Sequence, residues 1–154
     1  MSGNAPEIDL PQLPNARVAI ISSSWHLDIC NDLVAGAQRA LAAAAIKNVE
    51  VIYVPGSFEI PLASQIAFEK GIDAVVAVGL VLEGQTPHFD YVCQGVTQGV
   101  MDVSLKFSAP IGFGVLMCNT LDQAVARSGR PGSSEDKGYD SAVAAIKLLQ
   151  LKEG

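Results

Sequence analysis

The sequence is short of charge, of aromatic rings and, above all, of cations. Among 154 residues, charged side chains make up 17% and aromatic ones 6%; ten Lys and Arg stand against sixteen Asp and Glu, a net charge of −6. Such a chain has no basic stripe, which argues against a nucleic-acid partner, because a phosphate backbone is held by clustered Lys and Arg. It does not exclude one anion pocket built from a few residues. Cysteine is sparse as well. Cys30, Cys93 and Cys118 are odd in number, widely spaced and each set in an apolar stretch, which reads as small hydrophobes in a reducing compartment. There is no CxxC and no histidine-rich cluster, so neither a metal nor a redox cofactor is expected. No apolar run reaches the roughly 18 residues of a membrane span. Residues 1–16 are polar and contain three prolines; without a basic start and an apolar centre they do not read as a signal peptide. The expected location is cytoplasmic.

What the chain does have is apolar surface, with hydrophobic residues at 49%. For one domain of this length that points to a parallel sheet covered on both faces, a large subunit interface, or both; both are expected. Residues 1–16 form an extended arm, placed against a neighbouring subunit, and 17–154 a single domain. Short β-branched runs at 17–22, 49–54, 74–81 and 110–117 read as buried parallel strands. Between and after them, helical spacing predicts helices over 26–46, 59–70, 87–107, 120–128 and 135–151. The class is α/β with a four-stranded parallel sheet and right-handed crossovers. In the helix from residue 87, Gly95 and Gly99 lie one turn apart. Interior helix glycines cost about 1 kcal/mol each relative to alanine, so close approach of a neighbouring backbone is expected there.

In such sheets ligands bind beyond the carboxyl ends of the strands. Four loops leave those ends: 23–26, 56–59, 83–88 and 118–120, and each carries polar or aromatic residues. The third is the most informative. Thr86 followed by Pro87 reads as an N-cap with proline at the first helical position. Gly84 and Gln85 precede it, so their N–H groups and those of the first turn form a nest suited to phosphate. His88 stands in that first turn, where the positive helix end favours neutral imidazole as a proton carrier. Trp25, the only tryptophan, follows three serines, and an exposed indole there can stack on a flat heteroaromatic ring. Phe113 sits between Gly112 and Gly114; flanking glycines imply a close neighbour, and core packing is the expected place for its ring. Glu59 at a helix start either caps the helix or binds hydroxyls. Arg127 ends a short helix, where a cation is favoured anyway. Lys137 begins a helix, where a cation is not, which implies a reason other than folding.

These residues fall in a known pattern. Gly84-Gln85-Thr86-Pro87-His88-Phe89-Asp90-Tyr91-Val92 resembles the signature of the lumazine synthase family, Pro55–Pro61 its second motif and Asp136-Lys137-Gly138 its third. Order and spacing agree from about Arg17 to Leu149. The resemblance implies a three-layer αβα sandwich of flavodoxin-like order. It implies a transferase of riboflavin biosynthesis that condenses 5-amino-6-ribitylamino-2,4-pyrimidinedione with 3,4-dihydroxy-2-butanone 4-phosphate to 6,7-dimethyl-8-ribityllumazine. Carried over by position, Trp25 stacks on the pyrimidine and Phe113 of a neighbouring subunit closes the pocket. Ser57, Phe58 and Glu59 hold the ribityl chain and ring edge, Leu80 and Val81 offer backbone groups to the ring, and Lys137 lies near the pyrimidine. Gln85, Thr86 and Arg127 hold the phosphate, and His88 moves protons. No cofactor is implied; a functional link to riboflavin synthase is.

Two departures stand out. Members of the family usually carry a basic residue where this chain has Glu83. The loop 129–135 is slightly longer than in capsid-forming relatives, which favours a free homopentamer over a sixty-subunit shell. Two other readings remain: a lumazine synthase-like riboflavin synthase, and a silent lumazine- or flavin-binding assembly protein. A generic nucleotide-binding domain is disfavoured, since no glycine-rich fingerprint follows the first strand.

Overall fold

The chain folds as an alternation of strands and helices in which every strand pair is parallel. The computed structural model describes residues 5–154; the first four residues of the expected arm lie outside the described residues. Strands β1 (Arg17–Ser23), β2 (Asn48–Val54), β3 (Ala74–Leu82) and β4 (Ile111–Cys118) are joined by helices α1 (Leu27–Ala43), α2 (Ile60–Glu69) and α3 (His88–Phe107). A 3-10 turn (Ser57–Glu59) precedes α2, and α4 (Leu121–Arg127) and α5 (Lys137–Glu153) follow β4. The order is β2-β1-β3-β4. The chain therefore reverses its direction of travel across the sheet between β1 and β3, and the crevice beyond that point is where such folds take ligands.

Alternation along the strands feeds two cores. Val18, Ile20, Val76 and Val78 pack with Leu33, Leu41, Ile146 and Leu149 under α1 and α5. Their neighbours Ala19, Ile21, Val75 and Ala77 pack with Ile60, Phe68, Val96 and Val100 under α2 and α3. Both faces of the sheet are covered, as near-continuous apolar strands require. Gly138 lets α5 lie on α1, for a Cβ there would fall 2.0 Å from the Leu33 carbonyl oxygen.

Several expectations are corrected. The helix expected to reach residue 46 ends at Ala43, because Ala45 takes a left-handed φ of 58° and the Ile46 N–H turns back to the Leu41 carbonyl. That stop lies in a run of alanines without the usual glycine signal. Gly95 and Gly99 do admit close neighbours, but these are side chains rather than backbone: the Phe58 ring and Pro61, at 2.6 and 2.7 Å from ideal Cβ positions. Leu10 and Leu13 pack on the α1–α5 core, and the Leu13 N–H donates to the Ala44 carbonyl at 2.8 Å. Phe113 is not a core residue. Gly112 and Gly114 face Ser141 of α5, while alternation puts the Phe113 ring on the opposite face, 40% exposed.

Candidate functional site

At the carboxyl ends of β1 and β3 opens a cleft of about 720 Å³ lined by Trp25, His26, Gly56, Ser57, Phe58, Glu59, Leu80, Val81, Glu83, His88 and Tyr91, among others. Its size suits a small organic ligand. Three of the four expected loops meet here. Ser24 ties the first to the second, its hydroxyl donating to the Val54 carbonyl at 2.8 Å.

Trp25 projects from the turn after β1 with 69% of its surface exposed. The turn is well determined. His26 adopts a left-handed φ of 52°, its carbonyl accepts from the Ile29 and Cys30 N–H groups, and the Cys30 thiol donates to the Trp25 carbonyl at 3.2 Å. A left-handed non-glycine residue costs of order 1–3 kcal/mol and persists only where its surroundings hold it. The indole edge lies 3.5 Å from where a Gly56 Cβ would stand, so the bare loop and the ring form one wall.

Beside them is the 3-10 turn. The Gly56 N–H donates to Glu59 Oε2 at 2.9 Å, so Glu59 does cap the turn and retains a second oxygen for a ligand hydroxyl. Phe58 is 59% exposed, with its ring edge against Gly95. Ser57 is different: its hydroxyl is buried and has no hydrogen-bond partner, so what it can show a ligand is backbone. The Leu80 N–H is also engaged, donating to Ser23 Oγ at 3.3 Å, and is not available as a ring donor. Both limits arise from side chains packed beneath the floor of the cleft.

The loop after β3 places His88 at the first position of α3. The helix begins one residue later than expected, yet Thr86 still behaves as a cap, with Oγ1 3.4 Å from the His88 N–H. Among the described residues nothing accepts the N–H groups of Gly84, Gln85 or Thr86. Glu83 is held across the ends of β3 and β4: its N–H donates to the Cys118 carbonyl at 2.9 Å, and its carboxylate accepts from the Asn119 amide. His26 and Tyr91 line the cleft without having been assigned there. Tyr91 had a readable signal, since it stands three residues after His88 on the same helix face.

The structure does not bring every expected residue to this cleft. Gln85 and Thr86 are exposed and, like Phe113, Arg127 and Lys137, do not line it. Phe113 lies in an apolar groove with Met101, Leu105 and Leu148. Arg127 and Lys137 share one carboxylate: Glu135 is 3.5 Å from Arg127 Nε and 3.1 Å from Lys137 Nζ. Asp140, 3.6 Å from Lys137 Nζ, has its carboxyl pushed up by burial, an effect the lysine opposes. Two acids beside it give Lys137 its reason to begin a helix. The cleft itself contains no Lys or Arg; its formal charges are Glu59 and Glu83, beside the two histidines. The described residues hold no group of three or more potential metal ligands.

Comparison with known proteins places the whole domain beside one family. A family model described as 6,7-dimethyl-8-ribityllumazine synthase matches residues 15–153. A relative of that name from Streptomyces coelicolor is 50% identical over 147 residues, covering 95% of this chain and 91% of its own. One from Streptomyces avermitilis is 48% identical with the same coverage. One from Pseudarthrobacter chlorophenolicus is 49% identical over 152 residues, covering 95% and 94%.

Proposed function

The chain belongs to the 6,7-dimethyl-8-ribityllumazine synthase family, and from that premise we propose that it condenses 5-amino-6-ribitylamino-2,4-pyrimidinedione with 3,4-dihydroxy-2-butanone 4-phosphate. The products are 6,7-dimethyl-8-ribityllumazine, phosphate and two molecules of water. The observation that carries this reading is an exposed indole, Trp25, facing a cleft that also holds Glu59 and His88. The pyrimidine stacks on Trp25, the ribityl hydroxyls reach the open oxygen of Glu59, and Phe58 closes the ring edge. His88 moves protons as the aromatic amine forms an imine with the ketone and as phosphate leaves. The reaction is thermodynamically easy. Holding the two reactants together, worth up to roughly 7–11 kcal/mol in ideal cases, supplies most of the acceleration.

A phosphate ester needs cations, and this cleft has none. Its free N–H groups at 84–86 are suited to one side of a phosphate, but two carboxylates line the same cavity. We therefore place Arg127, Lys137 and Phe113 in the cleft of a neighbouring copy, so that each complete site is shared by two chains. Exposed Met101, Leu105, Phe113 and Leu148 form an apolar surface of the kind that marks a subunit contact. The assembly is a free homopentamer of the cytoplasm, and its product passes to riboflavin synthase.

Incubating the protein with both substrates tests the activity: new lumazine absorbance and fluorescence are expected. Activity on preformed lumazine alone would assign a riboflavin synthase instead, and tight binding without turnover a silent binding protein.

A further inference from the structure

Glu135 holds two cations with one carboxylate and is itself more covered than either. Its side chain is 18% exposed, against 41% for Arg127 and 25% for Lys137. The backbone around it is fixed as firmly. The Glu135 N–H donates to the Ala126 carbonyl at 3.0 Å and its own carbonyl accepts from the Gly129 N–H at 3.1 Å. Ser128 and Asp136 form an antiparallel bridge beside them. Two ion pairs clamp this hairpin to α1, Arg39 with Asp136 at 2.5 Å and Arg130 with Asp32 at 2.7 Å. Glu135 is therefore a carboxylate on a rigid platform.

The Arg127 guanidinium is aimed by this platform. Its Nε faces Glu135, and Nη1 donates to the Gln123 carbonyl at 2.9 Å. Two sides of the guanidinium are thus faced by the chain, leaving Nη2 and the second Nη1 hydrogen for an incoming anion. Lys137 Nζ lies 3.1 Å from the other oxygen of the same carboxylate, Oε1, which is buried and accepts no aligned hydrogen bond.

We infer that Glu135 is a positioning residue of the condensation site, setting guanidinium and ammonium side by side before substrate arrives. The inference rests on the proposed roles of Arg127 and Lys137. Ordering two flexible side chains in this way holds the bound substrate where the reacting geometry requires it. The same carboxylate opposes phosphate electrostatically. Removing its charge therefore loosens the aim of the cations without weakening their attraction for an anion.

The test uses the full chain carrying Glu135→Gln, inorganic phosphate as the calorimetric probe, and steady-state kinetics with both substrates. The variant should bind inorganic phosphate at least as tightly as the parent while kcat falls roughly ten-fold, as misplaced reacting groups do. In an Arg127→Ala background the same change should do less than in the parent, because it acts through Arg127. Equal losses in phosphate affinity and kcat, an unchanged kcat, or full additivity with Arg127→Ala would each overturn the inference. If Glu135→Gln fails to fold, Glu135→Asp keeps the charge on a shorter arm, and a loss confined to kcat is again expected. Arg127→Ala alone separates the two levels. If it changes neither the KM of the phosphate substrate nor turnover, the phosphate reading fails and this inference with it. If it weakens that substrate while Glu135→Gln is silent, only the inference fails.

Discussion

Asn119 donates its side-chain amide to the Glu83 carboxylate at 2.5 Å, joining the residues that follow β4 and β3. The acid is held on the wall of the cleft, beside the loop whose free N–H groups suit phosphate. A charge about 8 Å away at an effective dielectric near 40 costs a phosphate monoanion about 1 kcal/mol. Glu83→Gln removes the charge and leaves an amide oxygen for Asn119. It should lower the KM of the phosphate substrate by up to about five-fold, more at low than at high ionic strength. An unchanged KM at low salt would show that Glu83 lies outside the field of the phosphate.

His88 is exposed, and no hydrogen bond from its ring supports the fold. His88→Ala should slow turnover by roughly 100-fold, the lower end of what a positioned acid–base group contributes, while the unfolding temperature and assembly mass stay as they were. Single-turnover measurement of lumazine formation, alongside mass in solution, checks both halves.

Trp25 contributes a face rather than a hydrogen bond. Trp25→Ala should raise the KM of the pyrimidine substrate about ten-fold, from lost stacking and covered area. The KM of the phosphate substrate should move much less. Trp25→Phe should restore most of the affinity. Equal effects on both substrates would argue that the indole orders the loop rather than the pyrimidine.

Cys30 joins the floor of the cleft to its wall, and burial pushes its thiol up, partly offset by the Ser23 hydroxyl. The sign follows from linkage. An acid whose folded pKa is raised contributes full stability below its unfolded value, near 8.5 for a thiol, and loses it as pH rises towards the folded value. The unfolding temperature should therefore fall above about pH 8.5, and fall less steeply in Cys30→Ala. In native protein at pH 8 this thiol should resist alkylation until denaturant is added.

Strands were the most legible part of the sequence, each placed within one residue of its observed ends. Buried parallel strands are short continuous runs of Val, Ile and Ala, and few other structures use them. Helix ends were less legible, because the Ala44 carbonyl accepts from the Leu13 N–H and the Asp136 cap of α5 pairs with Arg39, contacts with residues far along the chain. At the site, Trp25, Phe58, Glu59 and His88 could be read from loop position. The engaged Leu80 N–H and the Asn119–Glu83 contact could not, since each depends on a partner far along the chain, and neither could the Ser57 hydroxyl, which is buried without a partner. Phe113 was misplaced by its glycine neighbours, whose close contact is with α5 on the other face.

A mixed assembly tests most directly whether the cleft is half of a shared site. His88→Ala and Arg127→Ala are each made, shown to be largely inactive, then unfolded together and reassembled in equal amounts. If one chain supplies His88 and its neighbour Arg127, about a quarter of the sites in a random ring join two intact halves, and that share of parental turnover should return. If both residues act within one chain, every site retains a lesion. Activity no higher than the average of the two variants would contradict the shared site.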